Sequence, residues 1–223
     1  NVFIASPNGY PDKDYKALVE RLGNGFPEAK YIDISGLLSA DDFYYTDSHW
    51  RQERILKVAD EIADKMGAKR IEQCEKRDTG VSFYGVYYGQ SALPHAPEPL
   101  RYLDNAVIRD LKVYNAEIKS EIPVYDLKAA GGRDPYEMFL GGARSIITIT
   151  NPNVVRERRL VIFRDSFGSS IAPLLTAGYS EITLVDIRYI SPSSLGKLID
   201  FTKADDALFL YSASVINNSG TIK

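Results

Sequence analysis

The stretch Leu160-Val161-Ile162-Phe163-Arg164-Asp165-Ser166-Phe167-Gly168-Ser169 decides how this chain is read. Its first four residues are wholly apolar, as in a parallel strand covered on both faces. The run passes straight into polar residues and then into a helical pattern predicted over 169–177, with Gly178 just after it. A strand leading into a helix in this way puts residues 165–168 at the carboxyl end of the strand, where open α/β sheets bind their ligands. Towards the C-terminus the pattern repeats: a strand over 182–187, a helix over 193–201 and a third strand over 207–211. Such alternation predicts a parallel sheet with right-handed crossovers, an α/β fold.

Two roles are open to the polar residues at this junction. Asp165, Ser166 or Ser169 can cap the helix, the commonest task of such residues there. Alternatively Ser166 is a nucleophile, with the backbone N–H groups of Ser166, Phe167 and Gly168 facing a developing oxyanion. Gly168, without a Cβ, allows a substrate to approach the backbone. A serine hydroxyl needs a base to take its proton and a third group to orient that base. The chain has only two histidines. His95 lies in the proline-bracketed Leu93-Pro94-His95-Ala96-Pro97 and reads as a surface residue. His49 follows Asp47 by two residues, a spacing that lets the carboxylate accept from the ring while the second ring nitrogen acts as base. The competing reading makes Asp47 a helix cap and His49 a solvated first-turn residue.

Upstream, 2–6 reads as a strand, 14–22 as a helix ended by Gly23, and 31–34 as another strand. A strong apolar stripe (Trp50, Ile55, Val58, Ala59, Ile62, Met66) predicts a helix running from caps at Thr46, Asp47 or Ser48 to Gly67. From 78 to 150 glycine, tyrosine and proline rise and alternation appears at 81–84 and 107–113, which predicts an inserted antiparallel β-region. No linker divides the chain, so 1–223 is expected to be one domain carrying that insertion.

The composition narrows the function. With 223 residues, 44% apolar and 26% charged, the chain resembles ordinary globular proteins and can bury a sizeable core. A net charge of −3 argues against nucleic acid as a partner. No apolar run is long enough to span a bilayer, so no membrane contact is expected from this portion. A single cysteine, Cys74, and the two histidines argue against a disulfide framework and against a zinc site. No G-x-G-x-x-G or Walker loop follows any predicted strand, which argues against a nucleotide-binding domain, and with no metal-site or cofactor motif visible no cofactor is expected. The fifteen tyrosines fit β-structure, and Tyr84, Tyr87 and Tyr88 equally fit a sugar-stacking surface. The first residue is Asn1 rather than Met, which fits removal of an upstream export signal or anchor, or a chain cut at that point.

In combination the motifs reach a family. Tyr44-Tyr45-Thr46-Asp47-Ser48-His49-Trp50 resembles the Y-x-T-D-x-H-W signature of the DHHW family, a branch of the SGNH hydrolases related to the alginate O-acetyltransferases of bacterial exopolysaccharide machinery. Tyr136-Glu137-Met138-Phe139-Leu140-Gly141-Gly142, the serine strand, and Ser180-Glu181-Ile182-Thr183-Leu184-Val185-Asp186-Ile187-Arg188-Tyr189 resemble the same family in the same order. The resemblance implies a three-layer α/β/α SGNH-like domain, circularly rearranged because its Asp-x-His element precedes the serine. It implies Ser166 as nucleophile, His49 as base and Asp47 as the orienting residue. The reaction would be acyl transfer from or to a carbohydrate polymer or acylated sugar, outside the cytoplasm. Gly142, Arg144, Arg188, Tyr189 and Asn217 are the candidates for completing the oxyanion and substrate site. Where relatives often carry an asparagine after the double glycine, this chain has Ala143-Arg144, and Arg144 is either an anion stabiliser or the partner of a nearby acid. That departure supports an alternative, a catalytically weakened polysaccharide-binding protein of exopolysaccharide assembly.

Overall fold

The strand ending in Ser166 lies inside a six-stranded mixed sheet. The structure is a computed structural model that describes residues 14–91, 94–218 and 220; the strand expected at 2–6 lies outside them. Eight strands occur among these residues: β1 (Glu75–Phe83), β2 (Glu98–Asp104), β3 (Lys112–Asn115), β4 (Ser120–Ile122), β5 (Ile146–Thr150), β6 (Arg159–Arg164), β7 (Glu181–Val185) and β8 (Asp206–Leu210). The helices are α1 (Tyr15–Gly25), α2 (Leu56–Lys65), α3 (Val86–Ser91), α4 (Ala106–Asp110), α5 (Phe167–Ile171), α6 (Pro192–Leu195) and α7 (Ala213–Asn217). The large sheet has the order β4-β3-β5-β7-β6-β8, and β1 pairs with β2 as a separate antiparallel hairpin.

Only β7, β6 and β8 run parallel; β5, β3 and β4 extend the sheet antiparallel. The expected parallel sheet is therefore mixed. The connection between β3 and β4 is a four-residue turn in which Lys119 has φ 52°, and a link that short can join only antiparallel strands. Much of the stretch expected as an insertion thus builds the main sheet, while the β1–β2 hairpin stands apart from it.

Because β6 lies between β7 and β8, the chain moves one way across the sheet after β6 and returns the other way after β7. Right-handed crossovers then put the two connections on opposite faces. The side chains agree. Leu160, Ile162, Ile182 and Leu184 pack with Ile171, Leu174 and Leu175 of the β6–β7 connection in the main core, which α2 residues Val58, Ala59 and Ile62 also join, whereas Val161, Val185 and Ile146 pack with Leu195 of the β7–β8 connection on the other face. The carboxyl end of β6 is the point where the strand order reverses, the usual place for a crevice in such sheets.

Several elements are shorter than their periodicity suggests. The helix expected over 169–177 ends at Ile171 and continues as a 3-10 turn, because Pro173 has no N–H to donate. The helix expected at 193–201 is the single turn of α6, followed by Gly196. The alternation at 107–113 is strand only from Lys112 on, because Asn105, whose side chain accepts from Ile108 N–H at 2.9 Å, starts α4 over Ala106–Asp110. Residues 31–34 form no strand; Ile32 and Ile34 instead pack on the main core. The apolar stripe near residue 50 becomes α-helical only at Leu56, after a single 3-10 turn at Gln52–Arg54, because the chain before it is tied across a loop: Tyr44 N–H reaches His49 O at 3.1 Å and Arg51 N–H reaches Asp42 O at 2.7 Å.

Candidate functional site

Ser166 is the residue just before α5, and its side chain makes no capping bond. Asp165 takes that role instead, accepting from Phe167 N–H at 3.0 Å and from Ser212 N–H at 2.7 Å, which ties the β6 and β8 ends together. The Ser166 hydroxyl is left for His49, whose Nε2 lies 2.7 Å from Oγ. His49 Nδ1 lies 2.5 Å from Asp47 Oδ1. Residues 47, 49 and 166, 117 positions apart between the histidine and the serine, thus form one hydrogen-bonded line.

Asp47 is not a helix cap. The loop from Phe43 to Trp50, closed by a bridge between those two residues, aims its carboxylate at the histidine. Asp47 Oδ1 also accepts from His49 N–H at 3.0 Å and Oδ2 accepts from Val86 N–H at 3.1 Å. Burial pushes the Asp47 carboxyl up, but the His49 hydrogen bond and charge and the two backbone N–H groups outweigh it and hold the group below the ordinary carboxylate range. A carboxyl depressed on folding contributes stability that is complete above its unfolded value of about 4 and is lost as pH falls through the lower folded value. Wild type is therefore expected to lose more stability than Asp47→Asn between about pH 6 and about pH 3, read as the shift in urea midpoint.

The imidazole is fixed by aromatic contacts as well. The Tyr136 ring stacks on His49 with centroids 4.0 Å apart and planes 16° apart, and Phe167 lies at 5.1 Å. The Tyr136 hydroxyl, held neutral by burial, donates to Ser170 Oγ at 2.8 Å, as Trp50 Nε1 does at 2.7 Å. Ser170 in turn donates to Phe167 O at 3.2 Å. Gln52 closes the underside, donating to Ser170 O at 2.7 Å and accepting from Leu103 N–H at 2.8 Å. Trp50 and Tyr136 stood in motifs quoted from the sequence, but their shared dependence on Ser170 did not show there.

The other expected site residues divide. Gly142, with φ +75°, is brought beside the serine loop: its carbonyl accepts from Ser169 Oγ at 3.4 Å and from Arg164 at 3.3 Å. Arg164 is fully buried and also donates to the Arg144 carbonyl, so one guanidinium joins the double-glycine loop to the end of β6. Gly168 is needed for this packing, since a Cβ there would stand 2.6 Å from Arg164 Cβ. Of the amides expected to face an oxyanion, Phe167 N–H is taken by Asp165 Oδ1 and Gly168 N–H by Asp165 O at 3.1 Å. Gly142 N–H is taken by Phe139 O at 3.0 Å. Ser166 N–H alone of the expected three has no acceptor among the described residues. Arg144 spends one N–H on the Ala143 carbonyl and makes no ion pair among the described residues. Arg188 forms a two-pronged pair with buried Asp186 at 2.9 and 2.6 Å and lies over the exposed Tyr189 ring just past the end of β7. Asn217, exposed in the last turn of α7, makes no hydrogen bond with the Asp47–His49–Ser166 line. His95 is exposed, as expected, and stacks on Tyr45 at the rim. Among the described residues no three His, Cys, Asp or Glu side chains gather as metal ligands, and no helix is long and apolar enough to cross a membrane.

By fold the chain is an α/β protein of the kind seen in a DHHW family protein from Eubacterium siraeum, with which it superposes at a TM-score of 0.76 and 20% identity over 97% of this chain and 77% of that one. Bacillus cereus PatB1, in a structure carrying a sulfonyl adduct, superposes at 0.63 with 18% identity over 87% of this chain and 67% of that one. PatB1 without the adduct gives 0.58 at 16% identity, over 79% and 64% of the two chains. No family model matches the chain, and no curated protein matches it in sequence.

Proposed function

We propose that this protein is a serine esterase or O-acyltransferase that works through an acyl-serine intermediate. The observation that carries the reading is the continuous line from Asp47 through His49 to Ser166, with separations of 2.5 and 2.7 Å. As Ser166 Oγ attacks an ester carbonyl carbon, His49 Nε2 takes the hydroxyl proton and Asp47 stabilises the resulting imidazolium. The Ser166 N–H is the donor left for the oxyanion. The C–O bond to the leaving alcohol then breaks, His49 returns the proton to that oxygen, and the acyl group stays on Ser166. Water (hydrolysis) or a sugar hydroxyl (transfer) next gives its proton to His49 and bonds the acyl carbon, and the Ser166 Oγ–acyl bond breaks as His49 returns that proton to Oγ.

The substrate in this reading is a carbohydrate polymer or acylated sugar met outside the cytoplasm. Tyr84, Tyr87 and Tyr88 are exposed, and the backbone of their segment holds the Asp47 loop: Tyr87 N–H donates to Thr46 O at 2.9 Å. Rings that expose both a face and a hydroxyl suit sugars. A second reading, a polysaccharide binder with weakened turnover, is favoured by the amides of Phe167, Gly168 and Gly142 being engaged elsewhere.

PatB1 carries a sulfonyl adduct, and sulfonyl fluorides react with activated serine hydroxyls, so that reagent class is a direct probe here. Phenylmethylsulfonyl fluoride and an alkyl phosphonate are expected to label Ser166, located by peptide mass, and to stop release of p-nitrophenol from p-nitrophenyl acetate. His49→Ala is expected to remain unlabelled. A wild-type chain that neither takes the label nor exceeds the buffer rate sinks the enzyme reading and leaves the binder, which retention on immobilised polysaccharide would then reveal.

A further inference from the structure

The Asp47 loop rests on a carboxylate far away in sequence. Glu98, the first residue of β2, is 5% exposed and receives four donors. Its Oε1 accepts from Tyr45 N–H at 3.1 Å and from the Arg51 guanidinium at 2.5 Å. Its Oε2 accepts from Thr46 N–H at 3.0 Å and from Thr46 Oγ at 2.9 Å. These two amides belong to the residues directly before Asp47, so the carboxylate sets the backbone from which the Asp47 side chain leaves. From the opposite side Gly85 N–H donates to Thr46 Oγ1 at 3.0 Å and Val86 N–H to Asp47 Oδ2. Arg51 balances the buried charge and is itself anchored on the Phe43 carbonyl and over the Tyr44 ring.

We propose that Glu98 is a positioning residue for the Asp47–His49 pair, acting through the backbone of residues 45 and 46 without touching the reacting atoms. The inference rests on the acyl-transfer reading of Ser166. A glutamate suits the task because all four facing groups are donors, and only a carboxylate offers acceptors on both oxygens. A glutamine of the same shape must turn its NH2 toward two donors, either Tyr45 N–H with Arg51 or Thr46 N–H with its hydroxyl. The loop must then shift to separate them. A displacement of about 1 Å at the histidine can cost about 100-fold in rate.

The test compares wild type, Glu98→Gln and Thr46→Val, the last removing the hydroxyl that bridges Glu98 and Gly85. Three readouts are taken: kcat and KM on p-nitrophenyl acetate, the pH–rate profile, and the proton resonance of His49 Nδ1–H together with the ring titration by NMR. The groups facing the ring are Asp47, Ser166, Tyr136 and Phe167. Glu98→Gln is expected to lower kcat about 100-fold with KM changed less than about twofold. It should also shift the rate profile and move or erase the Nδ1–H resonance while unfolding stays cooperative, with Thr46→Val giving a smaller change in the same direction. Wild-type kcat, profile and resonance in Glu98→Gln would overturn the inference, as would a loss matching only the unfolded fraction. If wild type itself proves inert to ester and sulfonyl fluoride, the acyl-transfer reading fails separately. The NMR comparison then decides alone: a moved resonance supports positioning and an unmoved one overturns it.

Discussion

Ser166→Ala and His49→Ala are each expected to remove ester turnover, by about 10^5- to 10^6-fold in kcat, and to lower it no further when combined, because a nucleophile and its base work as one unit. Stability should barely change. The Ser166 side chain is half-buried and spends its hydroxyl on one partner, His49, so its removal costs about 1 kcal/mol, or about 2–4 °C in Tm. Ser170, four residues on, provides the opposite case. It is fully buried and accepts from both Trp50 and Tyr136 while donating to Phe167 O. Ser170→Ala leaves those donors facing an apolar methyl group and is expected to cost about 2–4 kcal/mol, each stranded buried group contributing about 1–3. Its Tm should fall clearly, while ester turnover persists at low temperature in the fraction that stays folded. Two serines in one short segment thus separate chemistry from support. Residual turnover in Ser166→Ala equal to wild type would remove the nucleophile assignment, and a large fall in its Tm would show Ser166 to be a structural residue.

The sequence carried some of this arrangement because some of its causes are local. The run Leu160-Val161-Ile162-Phe163 is apolar on both faces since β6 is covered on both, and that continuity is visible without coordinates. Asp47 and His49 lie two residues apart, so their contact is also a local fact. The line they form with Ser166 was legible only through the co-occurrence of motifs, because neither segment alone separates a capping role from a chemical one. What stayed hidden is the long-range support. Glu98 stands 52 positions from Thr46, and the bond between them joins a side chain to a backbone amide, which follows no periodicity. Element lengths depart from their periodicity for a related reason. The stripe through Trp50 and Ile55 has helical spacing, but the backbone N–H groups of Tyr44 and Arg51 bond across a loop instead. Pro173 was a readable stop inside the segment after Ser166, and its missing N–H explains why α5 is short.

Gly85→Ala is expected to damage both folding and activity, for a reason unconnected with glycine's flexibility. A Cβ at Gly85 would stand 2.2 Å from Thr46 O, 2.6 Å from Thr46 C and 2.3 Å from Asp47 Cβ. None of these atoms is the loose end of a side chain. Thr46 is held on one side by Glu98 and on the other by Gly85 N–H and Tyr87 N–H, so the loop cannot yield without giving up several of those bonds. The cost should therefore reach the upper end of overpacking, about 3 kcal/mol. Any relaxation that relieves it moves Asp47, so turnover by the folded fraction should also fall, by about 100-fold or more. Gly80, inside β1 and five residues before Gly85, supplies the contrast. It has φ +72° but open space where its Cβ would be. Gly80→Ala is expected to cost about 1–2 kcal/mol through backbone strain alone and to leave kcat unchanged. Thermal melts and ester kinetics on the two alanine variants decide the matter. If Gly85→Ala lost only stability, the hairpin would be a brace for the fold; a loss of kcat in the folded protein, absent from Gly80→Ala, makes the close approach of Gly85 part of what aims Asp47 at His49.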